Sequence, residues 1–161
     1  MQIEARPASE TELPELLRLY RLLEAEQAEL KSLWPVADGL AEPVENSFTS
    51  ILADADSAVV LGTIDEVPMG FMWMRLEALL PQGDGAQVGS VRLVFVQPEA
   101  RGVGVGEAMI SMVLADFRDR GVKLFDSHVS PGHRLAKNFF ESNGFSARRI
   151  VMHHSEDDRW Q

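Results

Sequence analysis

Residues 101–106 of this chain, Arg-Gly-Val-Gly-Val-Gly, place glycine at every second position between a β-branched segment and an apolar-periodic one. A strand, a glycine-rich turn and a helix form an anion site, because the unpaired N–H groups of the first helical turn converge there and the helix dipole adds partial positive charge. Glycine lets a phosphate approach the backbone closely, and Arg101 adds a fixed positive charge. The loop therefore predicts binding of a phosphate-containing ligand.

Three phosphate-binding patterns compete for this loop. The dinucleotide fingerprint G-x-G-x-x-G needs a third glycine where the chain has Glu107, and the nucleotide P-loop ends in Gly-Lys-Ser/Thr where the chain has Gly106-Glu107-Ala108. The pattern R-x-x-G-x-G is satisfied by Arg101, Gly104 and Gly106. Taken alone, the loop is also compatible with a tight turn that binds nothing.

A second motif follows one predicted strand later, in the sequence HVSPGHRLAKNFFESNGF of residues 128–145. Together with RLVFVQPEARGVGVGEAMI at 92–110, it resembles the GCN5-related N-acetyltransferase (GNAT) superfamily over residues 89–145. The acetyl-CoA loop of that family matches at Arg101, Gly104 and Gly106. Its following helix-and-turn signature matches at Ala136, Phe139, Glu141 and Gly144-Phe145.

The resemblance implies an acetyl-CoA-dependent N-acetyltransferase. Such an enzyme transfers an acetyl group to a primary amine of a small molecule, peptide or protein by direct attack in a ternary complex. The loop amides would bind the pyrophosphate of coenzyme A, and amides of a splayed fourth strand would polarise the thioester carbonyl. The residues implicated in cofactor binding are Val94, Phe95, Val96, Arg101, Gly102, Val103, Gly104, Val105, Gly106, His133, Asn138 and Phe140.

The chain departs from the family pattern where the departing thiolate would be protonated. The family usually has tyrosine at the position of Phe140 and commonly has asparagine at the position of His133. Phenylalanine has no proton to give. His133 lies seven residues before Phe140, on the same helix face, which makes it a candidate substitute for the acid. A thiolate of pKa about 8.5 is also a tolerable leaving group without an acid.

The acceptor amine must lose a proton, because an ammonium of pKa about 10.4 is not nucleophilic. A position that often carries glutamate in the family is Arg92 here. His128 is the candidate base, since it lies at the end of the strand before the last helix and imidazole titrates near neutral pH. Asp126 shares its strand face and is a hypothetical partner for its ring. A structural histidine at a strand end explains His128 equally well.

The acceptor pocket is expected in the front half of the chain, where its candidate lining residues also fit an ordinary hydrophobic core. Those residues are Trp34, Trp73 and Met72 or Met74. No metal site is predicted. The chain has no cysteine, and His153 and His154 are adjacent, so they would point to opposite faces of a strand.

The elements that position these residues follow from hydrophobic periodicity, in the order β-α-α-β-β-β-α-β-α-β. This predicts an α/β (layered α+β) fold, with a mixed, mostly antiparallel central sheet flanked by helices as the resemblance implies. Gly121 and Gly144 are predicted to end the last two helices, and Ser130-Pro131 to begin the final one. The strands are predicted over 2–6, 57–65, 69–79, 89–96, 122–129 and 145–154, and the first two helices over about 11–30 and 47–53.

Composition bounds the partners. The 161 residues predict one domain over 1–161, and the formal net charge of −10 argues against a nucleic-acid or anionic-membrane partner. Without a secretory signal or a long apolar run, the chain is expected to be a cytoplasmic monomer or homodimer. The alternative function is a non-catalytic acyl-CoA-binding or regulatory module that kept the cofactor site and lost the acid.

Overall fold

The computed structural model describes residues 1–130 and 132–160. Within them, five strands form one sheet in the order β1-β2-β3-β4-β5. The first four are antiparallel neighbours, whereas β5 runs parallel to β4. The strands are β1 (Ile3–Pro7), β2 (Ser57–Ile64), β3 (Val67–Ala78), β4 (Gln87–Val96) and β5 (Leu124–Ser127). The predicted mixed, mostly antiparallel sheet is confirmed.

In the described part of the chain, five α-helices flank this sheet: α1 (Leu13–Leu30), α2 (Trp34–Ala37), α3 (Val44–Ala53), α4 (Val105–Asp119) and α5 (Arg134–Ser142). The short α2 was not expected, because its sequence is rich in helix breakers. Over the described ranges, no helix is both long and apolar enough to cross a bilayer. That residues 1–161 form one domain stays a prediction.

The sheet is buried on both faces, which explains the uninterrupted apolar run Phe71–Met74 in β3. Alternation sends Phe71 and Trp73 toward α1, α2 and α3, where Tyr20 and Phe48 complete an aromatic core. The same alternation sends Met72 and Met74 toward α4, where the core also includes Phe117 and Phe140. These two methionines are fully buried, so the core interpretation is correct for them.

A bulge in β4 separates its two ends. Trp73 pairs with Leu93 and Met74 with Val91, which leaves Arg92 as the extra residue. The pairing of β4 with β5 covers only Val88–Val91, and the last bond runs from the His128 N–H to the Val91 carbonyl at 3.2 Å. Beyond Val91, β4 continues along β3 without a described strand on its other side.

The predicted final strand over 145–154 is wrong. A strand needs a hydrogen-bonded neighbour, and residues 146–154 make no backbone hydrogen bond to another described residue. Only the start of this segment is anchored, by the N–H of Phe145 on the Phe140 carbonyl at 3.0 Å and by Arg148 on Asp126. The observed order is therefore β-α-α-α-β-β-β-α-β-α, because strand propensity alone does not form a strand.

Candidate functional site

The glycines of the loop are required for different structural reasons. Gly102 and Gly104 have φ of 80° and 109°, a region that favours glycine, and Gly104 is the residue from which α4 begins. A Cβ at Gly106 would lie 2.7 Å from a ring carbon of Phe139, so this glycine permits close packing of α5 on α4. The first-turn N–H groups of α4 are thus presented by a tight backbone turn, which is the arrangement that binds an anion.

Arg101 lies where this loop leaves β4. Its Nε donates to the Val96 carbonyl at 2.7 Å, its Nη2 donates to Glu26 at 2.7 Å, and its guanidinium stacks over the Phe95 ring. These contacts hold the charge between the end of β4 and the last turns of α1. Nothing in the sequence indicated Glu26, because it is one of several glutamates along α1 and lies 75 positions before Arg101.

His133 is the N-cap of α5. Its Nδ1 accepts from the Ala136 N–H at 3.1 Å, so the ring hydrogen lies on Nε2, which donates to Glu26 at 2.9 Å. The prediction that Ser130-Pro131 begins this helix is wrong, since α5 starts at Arg134 with His133 as its N-cap. Pro131 itself lies outside the described residues. The candidate acid is therefore tied to the carboxylate that also binds Arg101.

Glu26 joins the two walls of a cleft of about 310 Å³. Partial burial raises the pKa of its carboxyl, but hydrogen bonds from His133 and Arg101 outweigh burial and leave the pKa below its ordinary value. Glu26 is therefore ionised at neutral pH. The cleft lies between the end of α1, the glycine loop and the start of α5, and its lining includes Glu26, Glu29, Leu30, Arg101, His133 and Arg134.

His128 lies where β4 and β5 part. Its ring Nε2 is 3.4 Å from the hydroxyl of the buried Ser90, with the hydrogen-bond direction set by the tautomer. Burial, and then the positive charge of Arg92, hold the pKa of His128 below its ordinary value. The ring is therefore neutral at physiological pH, as a proton acceptor must be.

Asp126 does not orient this ring. Its carboxylate binds the guanidinium of Arg148, with Nε at 2.8 Å, and this bond is the main reason that the pKa of Asp126 is lowered. Ser90, which the sequence did not single out, is the side chain that contacts His128. The hypothesis of an Asp126–His128 pair is thus wrong in this structure.

Polar side chains continue from His128 across the sheet. Arg92 donates to Glu77 at 2.9 Å, Arg75 lies 3.5 Å from the same carboxylate, and Arg75 also stacks over Trp73. We call Arg75, Glu77 and Arg92 the polar patch. The polar patch lies at the edge of the aromatic core under α1, next to the point where β4 and β5 separate.

The remaining residues predicted to contact the cofactor lie partly in the core and partly on the surface. Phe140 is 3% exposed and packs edge-on against Phe139 and Phe145, and Val105 is buried in the same core. Val103 and Asn138 are exposed, while Val94 and Val96 pack at the margin of the core under α4. Contact of any of these residues with a cofactor stays a prediction. Among the described side chains, no group of three His, Asp or Glu is arranged to hold a metal ion.

Comparisons with known proteins point to one family. A mycothiol acetyltransferase from Thermobispora bispora is 36% identical over 78 residues, which cover 48% of this chain and 26% of that protein. An aminoglycoside N(6')-acetyltransferase type 1 from Stenotrophomonas maltophilia is 39% identical over 93 residues, 56% of this chain and 58% of that one. In both cases, the match spans less than two thirds of the relative's length.

A solved structure of AAC(6')-Iy, in complex with the bisubstrate analogue CoA-S-monomethyl-acetylneamine, has a TM-score of 0.73 and 21% identity. It covers 98% of this chain, and the whole of that chain is covered, which shows that the fold is shared. The model of the acetyltransferase (GNAT) family matches residues 17–145. The chain belongs to this family, and the resemblance seen in the sequence is confirmed.

Proposed function

We propose that this member of the acetyltransferase (GNAT) family is an acetyl-CoA-dependent N-acetyltransferase that acetylates a primary amine by direct attack in a ternary complex. One observation carries the proposal. The unpaired end of β4 lies between the glycine loop at its exit and the neutral His128 at the point where β5 leaves it. An anion site and free strand amides thus follow one another along β4, and the proton acceptor lies beside this strand at the end of β5.

The residues present fit coenzyme A. Positive φ at Gly102 and Gly104 exposes the first-turn amides of α4, which suits a pyrophosphate, and Arg101 and Arg134 add positive charge in the cleft next to this loop. The amides of Val94 to Val96 that face away from β3 would hold the thioester arm and donate to its carbonyl. The relatives named as acetyltransferases support the same donor.

His128 would remove the proton from the attacking amine. Acetyl-CoA supplies its acetyl group as a thioester, so the new C–N bond replaces the C–S bond and the thiolate leaves. The Ser90 hydroxyl orients the imidazole through its contact with Nε2, and the charge of Arg92 helps to keep the ring neutral before the transfer. The base is thereby ready at neutral pH, where most free amines are still protonated.

We propose that the thiolate leaves without a tyrosine acid. Phe140 is closed into an aromatic cluster and offers no proton, and the Nε2 hydrogen of His133 is directed at Glu26. His133 is the candidate acid that remains, and it would have to leave Glu26 to reach the sulfur. With a thiol pKa of about 8.5, departure without an acid is feasible.

The acceptor is proposed to be a small polar amine. The polar patch beside His128 offers hydrogen-bond donors and acceptors rather than an apolar surface, and one relative is named an aminoglycoside acetyltransferase. Neither a nucleic acid nor a membrane is part of this proposal, given the net charge of −10. A cytoplasmic location for the reaction is part of the same proposal.

The test is a panel of aminoglycosides, polyamines, amino acids and peptides, incubated with acetyl-CoA and followed by release of free thiol. We expect turnover with at least one small polar amine, and its loss in His128→Gln. Tight binding of acetyl-CoA without turnover of any amine would reject the enzyme and support the non-catalytic acyl-CoA-binding module.

A further inference from the structure

The polar patch contains two arginines that share one carboxylate oxygen. Arg92 donates to Oε1 of Glu77 at 2.9 Å, and Arg75 lies 3.5 Å from the same oxygen. A guanidinium has several N–H donors, yet over residues 1–130 and 132–160 the side chain of Arg92 makes only this hydrogen bond. The patch therefore has donors left for another acceptor, and Glu77 balances only one of its two positive charges.

The polar patch and His128 lie on one face of the sheet. Side chains two positions apart in a strand point the same way, so Arg75 and Glu77 lie on the face of Trp73. Ser90, which contacts the ring of His128, is the residue of β4 that pairs with Arg75. An amine at His128 would therefore have the patch beside it.

The surroundings of His128 and the patch carry an excess of positive charge. In the described part of the chain, four arginines stand against two carboxylates there: Arg75, Arg92, Arg148 and Arg149 against Glu77 and Asp126. The whole chain, in contrast, has a formal net charge of −10. The overall composition does not explain this local excess, which is a property of the region around the proposed base.

The sign of this charge bears on the choice of acceptor. A polyamine or an aminoglycoside carries several ammonium groups, and those that do not react would be repelled by the arginines. A carboxylate would instead accept hydrogen bonds from a guanidinium in the planar, bidentate geometry that arginine favours. The contact of Arg92 with Glu77 shows that its guanidinium can bind a carboxylate at this position.

We propose that the acceptor is a small amine that also carries a carboxylate, of the amino-acid class, and that Arg92 and Arg75 bind this carboxylate. The inference rests on the proposed function and narrows the acceptor of that site. The amine lies at His128 and the carboxylate at the polar patch, so both ends of the acceptor are held. The carboxylate takes no part in the acyl transfer, which makes Arg92 a specificity-determining residue.

Matched pairs of acceptors test this preference. Amino acids and their own carboxamides differ by one negative charge, and a diamine serves as the cationic acceptor. Release of free thiol from acetyl-CoA gives kcat/KM for each. We expect the acid to exceed its carboxamide by about tenfold or more, and the diamine to be the poorest acceptor. Arg92→Gln should remove most of this ratio through KM, and Arg75→Gln should change it in the same direction.

The ratio within a pair separates recognition from catalysis. Loss of the Arg92 charge also changes the protonation of His128, but it does so equally for both members of a pair. Arg120→Gln is the matched control, because Arg120 also binds one carboxylate, that of Asp116, and its side chain is 34% exposed against 31% for Arg92. This variant should leave the ratio unchanged.

Calorimetry tests the same contact without turnover. N-acetyl amino acids, the products of the proposed reaction, and their carboxamides are titrated into protein saturated with coenzyme A. We expect the acid to bind at least about tenfold more tightly, and this preference to be lost in Arg92→Gln and kept in Arg120→Gln.

Equal binding of the two, or binding of neither, would overturn the inference. Turnover that favours diamines or carboxamides would also overturn it, while the proposed function would stand. Selective binding of the acid without turnover of any amine would support the carboxylate site and reject the proposed catalysis alone.

Discussion

The two sides of the proposed active site are built from different kinds of group. The proposed cofactor side consists of backbone: two glycines with positive φ and the first-turn amides of α4. The proposed acceptor side consists of side chains, with Ser90 and Arg92 from β4, Glu77 from β3 and His128 after β5. A backbone site depends on chain conformation and tolerates changes among neighbouring side chains. A side-chain site depends on the charge and protonation of each group, so the two sides should fail in different ways.

The largest effect is expected on the acceptor side, from His128→Gln. Removing a general base costs about 10²–10⁴ in rate, so kcat/KM for the amine should fall by that factor while the Kd of acetyl-CoA stays unchanged. In the native protein, burial and Arg92 lower the pKa of His128. The rate should therefore be independent of pH near neutrality and fall only as acid protonates the ring below its ordinary pKa.

Steady-state kinetics against pH, with calorimetric titration of acetyl-CoA, would measure both parts. His153→Gln is the control, because His153 is exposed and lies in the C-terminal segment; its profile should match the native one. An unchanged rate and pH profile in His128→Gln would show that this histidine is structural. The proposed acceptor side would then have no general base.

The next largest effect should come from the backbone side, in Gly104→Ala. Alanine at φ near 109° is strained by about 1–3 kcal/mol, and part of that strain falls on the amides proposed to bind pyrophosphate. We expect the Kd of acetyl-CoA to rise about tenfold, which corresponds to about 1.4 kcal/mol. Gly85→Ala also forces a positive φ, of 80°, but in the loop before β4. It should lower thermal stability similarly and leave the affinity unchanged.

A smaller effect is expected from Glu26→Gln, which tests the contact of α1 with Arg101 and His133 next to the proposed cofactor side. Glutamine can accept one hydrogen bond but carries no charge, so we expect a loss of about 1 kcal/mol in unfolding free energy. Because the pKa of Glu26 is lowered in the folded state, its contribution is present above the ordinary carboxyl pKa and disappears as pH falls through the lowered value. Urea titrations at neutral and acidic pH should show the variant and native protein converging in acid. Glu29 lines the same cleft and makes no ion pair with another described residue, so Glu29→Gln should match the native protein at both pH values.

The smallest effect is expected from Phe140→Tyr. The native ring is held edge-on between Phe139 and Phe145, and the thiolate leaves readily at a pKa of about 8.5. We expect kcat to change by less than about threefold, since an added acid assists a step that needs little help. A gain of more than about tenfold would contradict this and show that the missing tyrosine limits the native protein.

The proposed cofactor side was largely predictable from sequence, and the proposed acceptor side only in part. The glycine loop and the start of α4 are contiguous in the chain, so one short pattern contains the whole feature. His128 was identified from its place after a strand, but its contact Ser90 lies 38 positions away, across the β4–β5 pairing. The expected partner, Asp126, is on the correct face, yet Arg148 occupies its carboxylate. The spacing of residues along the chain does not show which of two possible partners, Arg148 or His128, a carboxylate such as that of Asp126 will bind.

The sequence by itself determined the family, through the two motifs of residues 89–145, and the resemblance to that family implied the mixed sheet. It also determined the glycine spacing of the loop and the absence of a tyrosine at position 140, because both rest on residue type. Only the tertiary structure decided the role of Gly106 as a packing contact, the hydrogen bonds of Arg101 and His133 to Glu26, and the unpaired state of residues 146–154. Those features depend on which distant backbone segments meet. Strand propensity in particular is satisfied only when a neighbouring edge is within reach, and the order of residues along one chain does not say where that edge lies.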